Sequence, residues 1–247
     1  MSDYFDMTGK VVLITGGTRG IGHALAKGFA QQGADLVIAS RKLAACETTA
    51  AELRAMGRRA LPWEAHVGRW NDLDALVEAA YREFGKVDVL INNAGMSPVV
   101  DSSLNTTEEL MDKVLGVNLK GPFRLSALLG DRMKRAGSGS IINITSTAAI
   151  RPLPEFGPYA AAKAGLNVLT RAHAHEFGPE VRVNAIMCGP FWTDASKSWR
   201  EEADRTSDAA ARRIGRPDEA LTTALYLAST ASSFTTGAII ELSGGIR

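Results

Sequence analysis

The stretch Thr15-Gly16-Gly17-Thr18-Arg19-Gly20-Ile21-Gly22 decides the fold of this chain, because of what lies on either side of it. Before it, the apolar run Val11 to Thr15 predicts a buried β-strand, and after it Gly22 to Gln32 has the apolar spacing of a helix. Glycines at such a turn let the backbone approach a bound phosphate, which the free N–H groups of the helix N-terminus attract. The stretch therefore predicts a phosphate-binding loop, with a plain strand-to-helix turn as the alternative. It matches neither G-x-G-x-x-G nor a P-loop.

The alternation of strand and helix patterns continues along the whole chain. Amphipathic segments such as Leu43 to Met56 and Asp72 to Phe84 separate the apolar runs, and Gly33, Gly57 and Gly85 are expected helix stops. The runs predict about seven strands: Val11 to Thr15, Leu36 to Ser40, Arg59 to Ala65, Val87 to Ile91, Ser140 to Thr145, Val181 to Met187 and Ala238 to Glu241. We therefore expect one α/β domain over residues 1–247, with a doubly wound parallel sheet.

The least regular stretch of the chain is 189–213. It is polar and charged around Phe191, Trp192 and Trp199. Loops of this kind close over binding sites in many enzymes, so the stretch is a candidate substrate flap, with an ordinary surface excursion as the alternative.

Composition and charge exclude several classes of protein. The chain has 247 residues, 45% of them hydrophobic and 22% charged, which is close to the globular average and argues against disorder. A formal net charge of +1 disfavours nucleic-acid binding, and no apolar run approaches the roughly 20 residues that span a bilayer. Cys46 and Cys188 are too few for a disulfide framework, and the start of the chain is unlike a signal peptide. We expect a cytoplasmic protein that acts on a small molecule, with no nucleic-acid or membrane partner.

The end of the second strand bears on which nucleotide is bound. In doubly wound folds an Asp or Glu about 20 residues after the glycine loop holds the adenosine ribose 2′-hydroxyl. Here the chain reads Ala39-Ser40-Arg41-Lys42, and no carboxylate lies between Asp35 and Glu47. Arg41 and Lys42, together with Arg19, could surround a 2′-phosphate. The sequence therefore favours NADP(H), with NAD(H) as the second choice and solvated strand-end charges as the alternative.

A tyrosine and a lysine on one predicted helix suggest proton transfer. Tyr159 and Lys163 are one turn apart on the same helix face. A nearby ammonium stabilises a phenolate and lowers its pKa from about 10, so that the phenol can exchange a proton with a carbonyl or alcohol oxygen. Ser146 follows the fifth strand and is expected at the carboxyl edge of the sheet, where it could hold a substrate oxygen or simply form a turn.

Several motifs then occur together and in a consistent order. They are the glycine stretch, Asn92-Asn93-Ala94-Gly95 after the fourth strand, Asn118, Ser146 and Tyr159-x-x-x-Lys163. In this combination the chain resembles the short-chain dehydrogenase/reductase family, from the glycine stretch to the final Leu242-Ser243-Gly244-Gly245. The resemblance implies a Rossmann-type sheet with strand order 3-2-1-4-5-6-7. It also implies hydride transfer between a nicotinamide cofactor and a carbonyl or hydroxyl carbon.

The resemblance implies a role for each residue of a catalytic tetrad. Tyr159 would be the general acid/base, and Ser146 would position the reacting oxygen. Lys163 would bind the nicotinamide ribose and lower the pKa of Tyr159, while Asn118 would hold the water that links Lys163 to solvent. Asn92 would serve structure. The expected cofactor contacts are Gly16, Thr18, Arg19, Gly20, Ile21, Ser40, Arg41, His66, Val67, Asn93, Ala94, Gly95, Tyr159, Lys163, Gly189, Phe191 and Thr193.

The chain departs from the family pattern in two places. Where many relatives have Asp-Val after the third strand, this chain has His66-Val67, and His66 is either an adenine contact or a loop residue. Where relatives commonly have Pro-Gly after the sixth strand, it has Cys188-Gly189, and we assign the Cys188 thiol no catalytic role. His173 and His175 should face different sides of a helix, so no metal site is expected.

The expected substrate pocket is apolar and aromatic, which favours an apolar ketone, aldehyde or alcohol. Its lining residues would be Met96, Ser97, Thr147, Ala148, Ile150, Phe191, Trp192 and Trp199, with Ser146, Tyr159, Met96 and Trp192 as substrate contacts. Arg151 is either a partner for a substrate carboxylate or solvated. A 3-oxoacyl-thioester reductase, a sugar dehydrogenase and a non-catalytic cofactor-binding regulator are the alternatives. The resemblance further predicts a homotetramer in which the helices Asn118 to Met133 and Tyr159 to Phe177 pack against symmetry mates.

Overall fold

A parallel sheet forms the centre of the molecule. In the computed structural model, which describes residues 4–193 and 209–246, it has seven strands. They are β1 (Val11–Thr15), β2 (Asp35–Ser40), β3 (Ala60–Glu64), β4 (Val89–Asn92), β5 (Gly139–Ser146), β6 (Val181–Cys188) and β7 (Ile239–Leu242). All neighbouring strands are parallel, in the order β3-β2-β1-β4-β5-β6-β7. The predicted fold class and strand order are confirmed.

Seven α-helices within the described ranges connect the strands and cover both faces of the sheet. They are α1 (Gly20–Gln31), α2 (Leu43–Ala55), α3 (Trp70–Phe84), α4 (Glu108–Leu115), α5 (Gly121–Ala136), α6 (Gly157–Phe177) and α7 (Leu221–Ala228). Helices α1, α2 and α7 pack on one face, through residues such as Phe29, Leu53 and Leu225. Helices α3, α5 and α6 pack on the other, through residues such as Leu76 and Leu129. The result is a three-layer sandwich with two apolar cores.

The near-continuous apolar runs are explained by this double covering. In β1 every residue is buried; Val12 and Ile14 point into the first core, and Val11 and Leu13 into the second. Strands with both faces covered cannot alternate between apolar and polar residues. The predicted strands therefore agree with the observed ones to within two residues at each end.

The predicted helix stops are confirmed in their backbone geometry. Gly33, Gly57 and Gly85 have φ angles of +95°, +79° and +75°, the left-handed region that residues with a Cβ rarely adopt. Each lies one or two residues beyond the end of its helix and turns the chain towards the next strand.

The helix predicted to run from Asn118 to Met133 is α5, which begins at Gly121 rather than at Asn118. A single π-helical turn, Gly116–Lys120, joins α4 to α5. At Gly121 the backbone passes so close to the loop after β3 that a Cβ would lie 2.2 Å from the carbonyl oxygen of Val67. Asn118 lies within this turn and is completely buried. Short π-helical segments of this kind are common at functional sites.

Two further expectations concern the flap and membrane spans. Phe191 forms an isolated parallel bridge with Gly215, which anchors the first part of the predicted flap to the segment that follows it. Residues 194–208, including Trp199, lie outside the described residues, so that part of the flap stays a prediction. Within the described ranges, no helix has the length and hydropathy needed to cross a membrane.

Candidate active site

The glycine stretch forms a compact turn between β1 and α1. Gly16 and Gly20 have positive φ angles of +67° and +54°. A Cβ at Gly16 would lie 2.9 Å from Nδ2 of Asn93, and one at Gly22 would lie 2.3 Å from the carbonyl oxygen of Gly16. Glycine is therefore required for close backbone packing at both positions, as well as for the backbone angle at Gly16.

The turn after β4 holds the glycine turn in shape. Asn93 donates from Nδ2 to the carbonyl oxygens of Thr15, at 2.9 Å, and Gly16, at 3.1 Å. In return, the Thr15 hydroxyl oxygen accepts from the backbone N–H groups of Asn93 and Ala94, both at 3.1 Å. Asn93 and Ala94 were expected to line the cofactor site, and in the structure they shape the glycine turn through this exchange.

The N-terminus of α1 suits a phosphate group. The helix begins at Gly20, its first turn contains no acidic residue, and the side chain of its N-cap residue, Arg19, makes no capping hydrogen bond. The unpaired N–H groups of such a terminus and the positive end of the helix dipole attract anions. The closely packed glycine turn and the helix N-terminus together fit the pyrophosphate of a dinucleotide.

The end of β2 is open and basic. Arg41 and Lys42 are exposed, directly after the half-buried Ser40. The Ser40 hydroxyl lies 3.3 Å from the buried thiol of Cys46, which also donates to the carbonyl oxygen of Trp63. Strand register pairs Ser40 with Glu64, an exposed carboxylate at the end of β3. Sequence reasoning missed Glu64, because only sheet register brings it beside Ser40.

The loop after β3 is organised by His66. The ring Nδ1 of His66 accepts from the backbone N–H of Gly68 at 3.1 Å. The backbone N–H of His66 donates to the carboxylate of Asp72 at 3.0 Å. Val67 is buried against the start of α5. One ring nitrogen of His66 is therefore used by the turn, and only the rest of the ring is available to a nucleotide.

Ser146, Tyr159 and Lys163 meet at the carboxyl edge of the sheet. Ser146 is the last residue of β5, and Tyr159 is the third residue of α6. The Lys163 side chain is only 3% exposed; its Nζ donates to the carbonyl oxygen of Ile144 at 2.7 Å and lies 5.8 Å from the Tyr159 ring centre. The predicted proximity of the three side chains is thus found in the structure.

Burial controls the ionisation of these groups. It raises the pKa of Tyr159, which a hydrogen bond with Ser146 lowers to a smaller extent. It lowers the pKa of Lys163 to about 8 and raises that of the neighbouring Cys188 thiol to about 12. The sequence predicted that Lys163 lowers the pKa of Tyr159. With the groups of the protein chain alone, the pKa of Tyr159 is instead raised. Desolvation of the phenolate dominates, and the Lys163 ammonium is bonded to Ile144 instead.

Asn118 holds Met96, which follows the turn after β4, in a fixed position. Its Nδ2 donates to the carbonyl oxygens of Met96, at 2.9 Å, and Val114, at 3.0 Å, and its Oδ1 accepts from the Met96 N–H at 3.2 Å. A Cβ at Gly95 would lie 3.0 Å from Asn118 Oδ1 and 3.8 Å from Lys163 Nζ. Asn118, Gly95, Met96 and Lys163 are thus adjacent. The Asn118 amide positions Met96, and its role in a water-linked proton relay stays a prediction.

The segment after β6 returns to the glycine turn. Gly189 donates to the carbonyl oxygen of Leu242 at 2.9 Å, and Trp192 donates to that of Gly215 at 2.8 Å. A Cβ at Gly20 would lie 3.2 Å from the methyl group of Thr193. A cleft of about 420 Å³ lies between these elements, lined by Gly20, His23, Ala24, Trp192, Thr193, Pro217 and Asp218.

The remaining candidates lie elsewhere. Arg151 forms an ion pair with Glu241 at 3.1 Å. Its side chain is therefore neither purely solvated nor free for a substrate carboxylate, the two alternatives that the sequence left open. His173 is buried between the rings of Phe123 and Phe177, whereas His175 is exposed, as expected from their spacing. Asn92 donates to Asn143 and Ser126 inside the second core, which is the structural role expected of it.

The parallel sheet and the turn that opens α1 define a Rossmann-type nucleotide-binding protein. The model of a protein family described as short chain dehydrogenase matches residues 10–204. The Bos taurus protein named dehydrogenase/reductase SDR family member 4 is 37% identical over 241 residues, which cover 96% of this chain and 86% of that protein. An uncharacterized oxidoreductase of Mycobacterium tuberculosis is 36% identical over 249 residues, with coverage of 99% and 94%.

Solved structures agree with these sequence matches. A crystal structure of a short-chain type dehydrogenase/reductase from Mycobacterium marinum superposes with a TM-score of 0.93 at 30% identity, covering 98% of this chain and 97% of that one. The chain belongs to the short-chain dehydrogenase/reductase family. It is an NAD(P)-dependent oxidoreductase that acts on CH–OH or C=O groups.

Proposed function

We propose that this enzyme is an NADP(H)-dependent oxidoreductase that interconverts an apolar or aromatic ketone or aldehyde with its alcohol, using Tyr159 as general acid/base. The observation that carries the proposal is the placement of Ser146 at the end of β5 and Tyr159 at the start of α6, at the same edge of the sheet. Lys163 is buried there, with its Nζ 5.8 Å from the centre of the Tyr159 ring. A carbonyl oxygen that met both hydroxyl groups would be polarised and positioned for protonation.

Each residue of the site has a defined task in this proposal. The Ser146 hydroxyl donates a hydrogen bond to the reacting oxygen, and Tyr159 delivers its phenolic proton to that oxygen during reduction. A phenol with a pKa of about 10 is protonated at neutral pH, and burial, which raises the pKa of Tyr159, further favours this proton-donating form. When bound, the nicotinamide cofactor supplies the hydride in reduction and accepts it in oxidation.

Lys163 and Asn118 complete the proposed tetrad. The Lys163 ammonium would bind the nicotinamide ribose, and its buried charge next to Tyr159 would favour the phenolate after proton transfer. Asn118 would act in proton relay to solvent. The hydrogen bonds between its amide and Met96 also hold the chain beside Lys163 in a fixed position, which supports its assignment to the site.

NADP(H) is proposed over NAD(H) because of the open basic end of β2. Arg41 and Lys42 are exposed there, and Arg19 directly precedes the first residue of the neighbouring α1. Guanidinium groups bind phosphate through paired charge-assisted hydrogen bonds. The carboxylate of Glu64, which strand register places beside Ser40, would favour a ribose hydroxyl, and the Arg41→Asp variant described below distinguishes the two cofactors.

We also propose a homotetramer in the cytoplasm. Helices α5 and α6 carry the exposed apolar side chains of Phe123 and Val168, which supports contact between copies along these helices. Both cysteines of the chain are buried and free, which supports a reducing compartment. Light scattering that gave the mass of a monomer at micromolar concentration would contradict the tetramer.

The catalytic proposal is tested by Tyr159→Phe, which removes the phenolic proton and keeps the ring. The variant should lose at least about 100-fold in turnover of a carbonyl panel, the typical contribution of general acid catalysis. NADPH affinity, measured by fluorescence titration, should change less than about threefold, because the lost hydroxyl makes at most one of many cofactor contacts. Full activity in this variant would refute the mechanism.

A further inference from the structure

Exposed apolar side chains are concentrated beside the proposed active site. Within residues 4–193 and 209–246, ten large apolar or aromatic side chains are exposed. Four of them, Val99, Leu104, Ile150 and Leu153, lie in the two connections that follow β4 and β5. The exposed fractions of Val99, Ile150 and Leu153 are 70%, 53% and 54%. Single exposed apolar residues need no explanation, but a cluster at a site marks a binding surface.

The backbone that carries Val99, Ile150 and Leu153 is held in place. The N–H of Val100 donates to the carbonyl oxygen of Glu155 at 2.9 Å, which joins the two connections to each other. The N–H groups of Ile150 and Arg151 both donate to the carbonyl oxygen of Thr147, at 3.1 and 2.8 Å. The ion pair between Arg151 and Glu241 ties the second connection to β7. The three side chains are therefore exposed on an ordered backbone.

These side chains lie on the same connections as residues of the proposed site. Val99 follows Met96, which Asn118 holds by two backbone hydrogen bonds. Ile150 follows Ser146 by four residues, and Leu153 precedes Tyr159 by six. Because β4 and β5 are adjacent and parallel, both connections leave the same edge of the sheet as Ser146.

Charge distinguishes between kinds of substrate. The stretch from Met96 to Thr107 contains no Lys, Arg or His, and Arg151 is the one cation between Thr147 and Phe156. The charge of Arg151 is paired with Glu241. These connections thus offer apolar contact without a cation committed to a substrate phosphate or carboxylate.

We propose that Val99, Ile150 and Leu153 form an outer apolar surface that binds the uncharged apolar tail of the substrate, beyond the carbon that reacts. The inference rests on the proposed function and deepens it. The substrate class is a ketone or aldehyde with an extended alkyl or aryl chain, or the corresponding alcohol. The surface determines specificity by chain length, while Ser146 and Tyr159 act on the oxygen.

The test compares straight-chain methyl ketones of increasing length with NADPH. In the unaltered enzyme, kcat/KM should rise roughly two- to fourfold for each added methylene, as expected when a methylene leaves water. The triple variant Val99→Thr, Ile150→Gln, Leu153→Gln keeps similar side-chain sizes and adds polar groups. It should lower the ratio of kcat/KM between the longest and shortest ketone at least about tenfold, mainly through KM.

Phe234→Ser provides the matched control. Phe234 is also fully exposed, but it precedes β7 and so lies at the opposite edge of the sheet. This variant should leave the length ratio unchanged. Circular dichroism and thermal unfolding of all variants would confirm that the fold is kept.

The outcomes separate this inference from the proposed function. A flat length series, with short ketones still reduced and the reduction still dependent on Tyr159, would overturn the outer apolar surface alone. Activity that survived Tyr159→Phe would overturn the proposed function instead. If the triple variant kept its length ratio but changed its mass in light scattering, the surface would be a contact between copies, and the inference would be wrong.

Discussion

Asn93 donates its side-chain amide to the carbonyl oxygens of both Thr15 and Gly16, at 2.9 and 3.1 Å. The turn after β4 thereby sets the shape of the glycine turn after β1, although the two are far apart in the sequence. Since the amide protons of Asn93 are used in this way, its contribution to nucleotide binding is indirect. It keeps the turn in the form that leaves the α1 N-terminus accessible.

Asn93→Ala should therefore weaken cofactor binding without changing the chemistry. Two hydrogen bonds of about 1 kcal/mol each are lost, so we expect NADPH affinity to fall roughly five- to thirtyfold. Fluorescence titration measures the affinity, and kcat at saturating cofactor should change less. Asn105→Ala, at an exposed loop position, is the control. Equal cofactor affinity in the two variants would show that the hydrogen bonds from Asn93 to Thr15 and Gly16 do not contribute to cofactor binding.

Gly22→Ala tests the close approach at the start of α1. The added methyl group would lie 2.3 Å from the carbonyl oxygen of Gly16, which is backbone and cannot easily move. We expect a loss of about 1–3 kcal/mol in the free energy of unfolding, measured by denaturant titration, and weaker cofactor binding. Gly116→Ala, where the backbone is right-handed helical and a Cβ would lie no closer than 3.9 Å to Gly68, should be neutral or slightly stabilising because alanine favours helices. Similar unfolding curves for both variants would contradict the prediction.

Arg41→Asp tests the cofactor preference. If Arg41 binds a 2′-phosphate, the reversal of charge should lower NADPH affinity about 10- to 100-fold, the range for hydrogen bonds to charged groups. NADH affinity should hardly change. Lys113→Asp, an equal change of charge on α4, controls for long-range electrostatics. Parallel changes in both cofactor affinities, or no change in either, would remove Arg41 from the site.

The pH dependence of reduction should report on Lys163. Its pKa is lowered to about 8 by burial, and the proposed role requires the ammonium form. As pH rises through about 8 this form is lost, so kcat/KM for reduction should fall, approaching tenfold per pH unit. Lys163→Met should remove this descending limb from its residual activity.

Cys188→Ala is the control for the pH profile. Burial raises the pKa of the Cys188 thiol to about 12, so this thiol stays neutral across the range measured. The variant should therefore keep the descending limb near pH 8. A limb that disappeared with Cys188, or persisted without Lys163, would assign the ionisation to another group.

The architecture could be predicted from the sequence because its signals are local. Apolar runs such as Val181 to Met187 are strands covered on both faces, and glycines such as Gly33 and Gly85 end helices by their backbone conformation. The ordered motifs around Ser146 and Tyr159 likewise indicated which side chains would meet. Sheet geometry brings the carboxyl ends of neighbouring strands together whatever the connections between them contain.

Other features depended on contacts between distant segments. The π-helical turn at Asn118 lies directly before Gly121, whose backbone packs against Val67, a residue distant in the sequence that no local pattern connects with it. The ion pair of Arg151 with Glu241 joins residues 90 positions apart. The raised pKa of Tyr159 reflects how deeply the folded chain buries the phenol, a quantity that the spacing to Lys163 does not contain.

The sequence by itself thus determined the order of strands and helices, the glycine turn and the set of residues at the sheet edge. Periodicity and backbone preference act over a few residues, so they can be read without a structure. Only the tertiary structure decided which groups are desolvated, which charges are paired and which apolar side chains stay exposed. Those properties arise from surfaces that meet in space, and they control the ionisation of Tyr159 and Lys163 and the exposure of Val99 and Leu153.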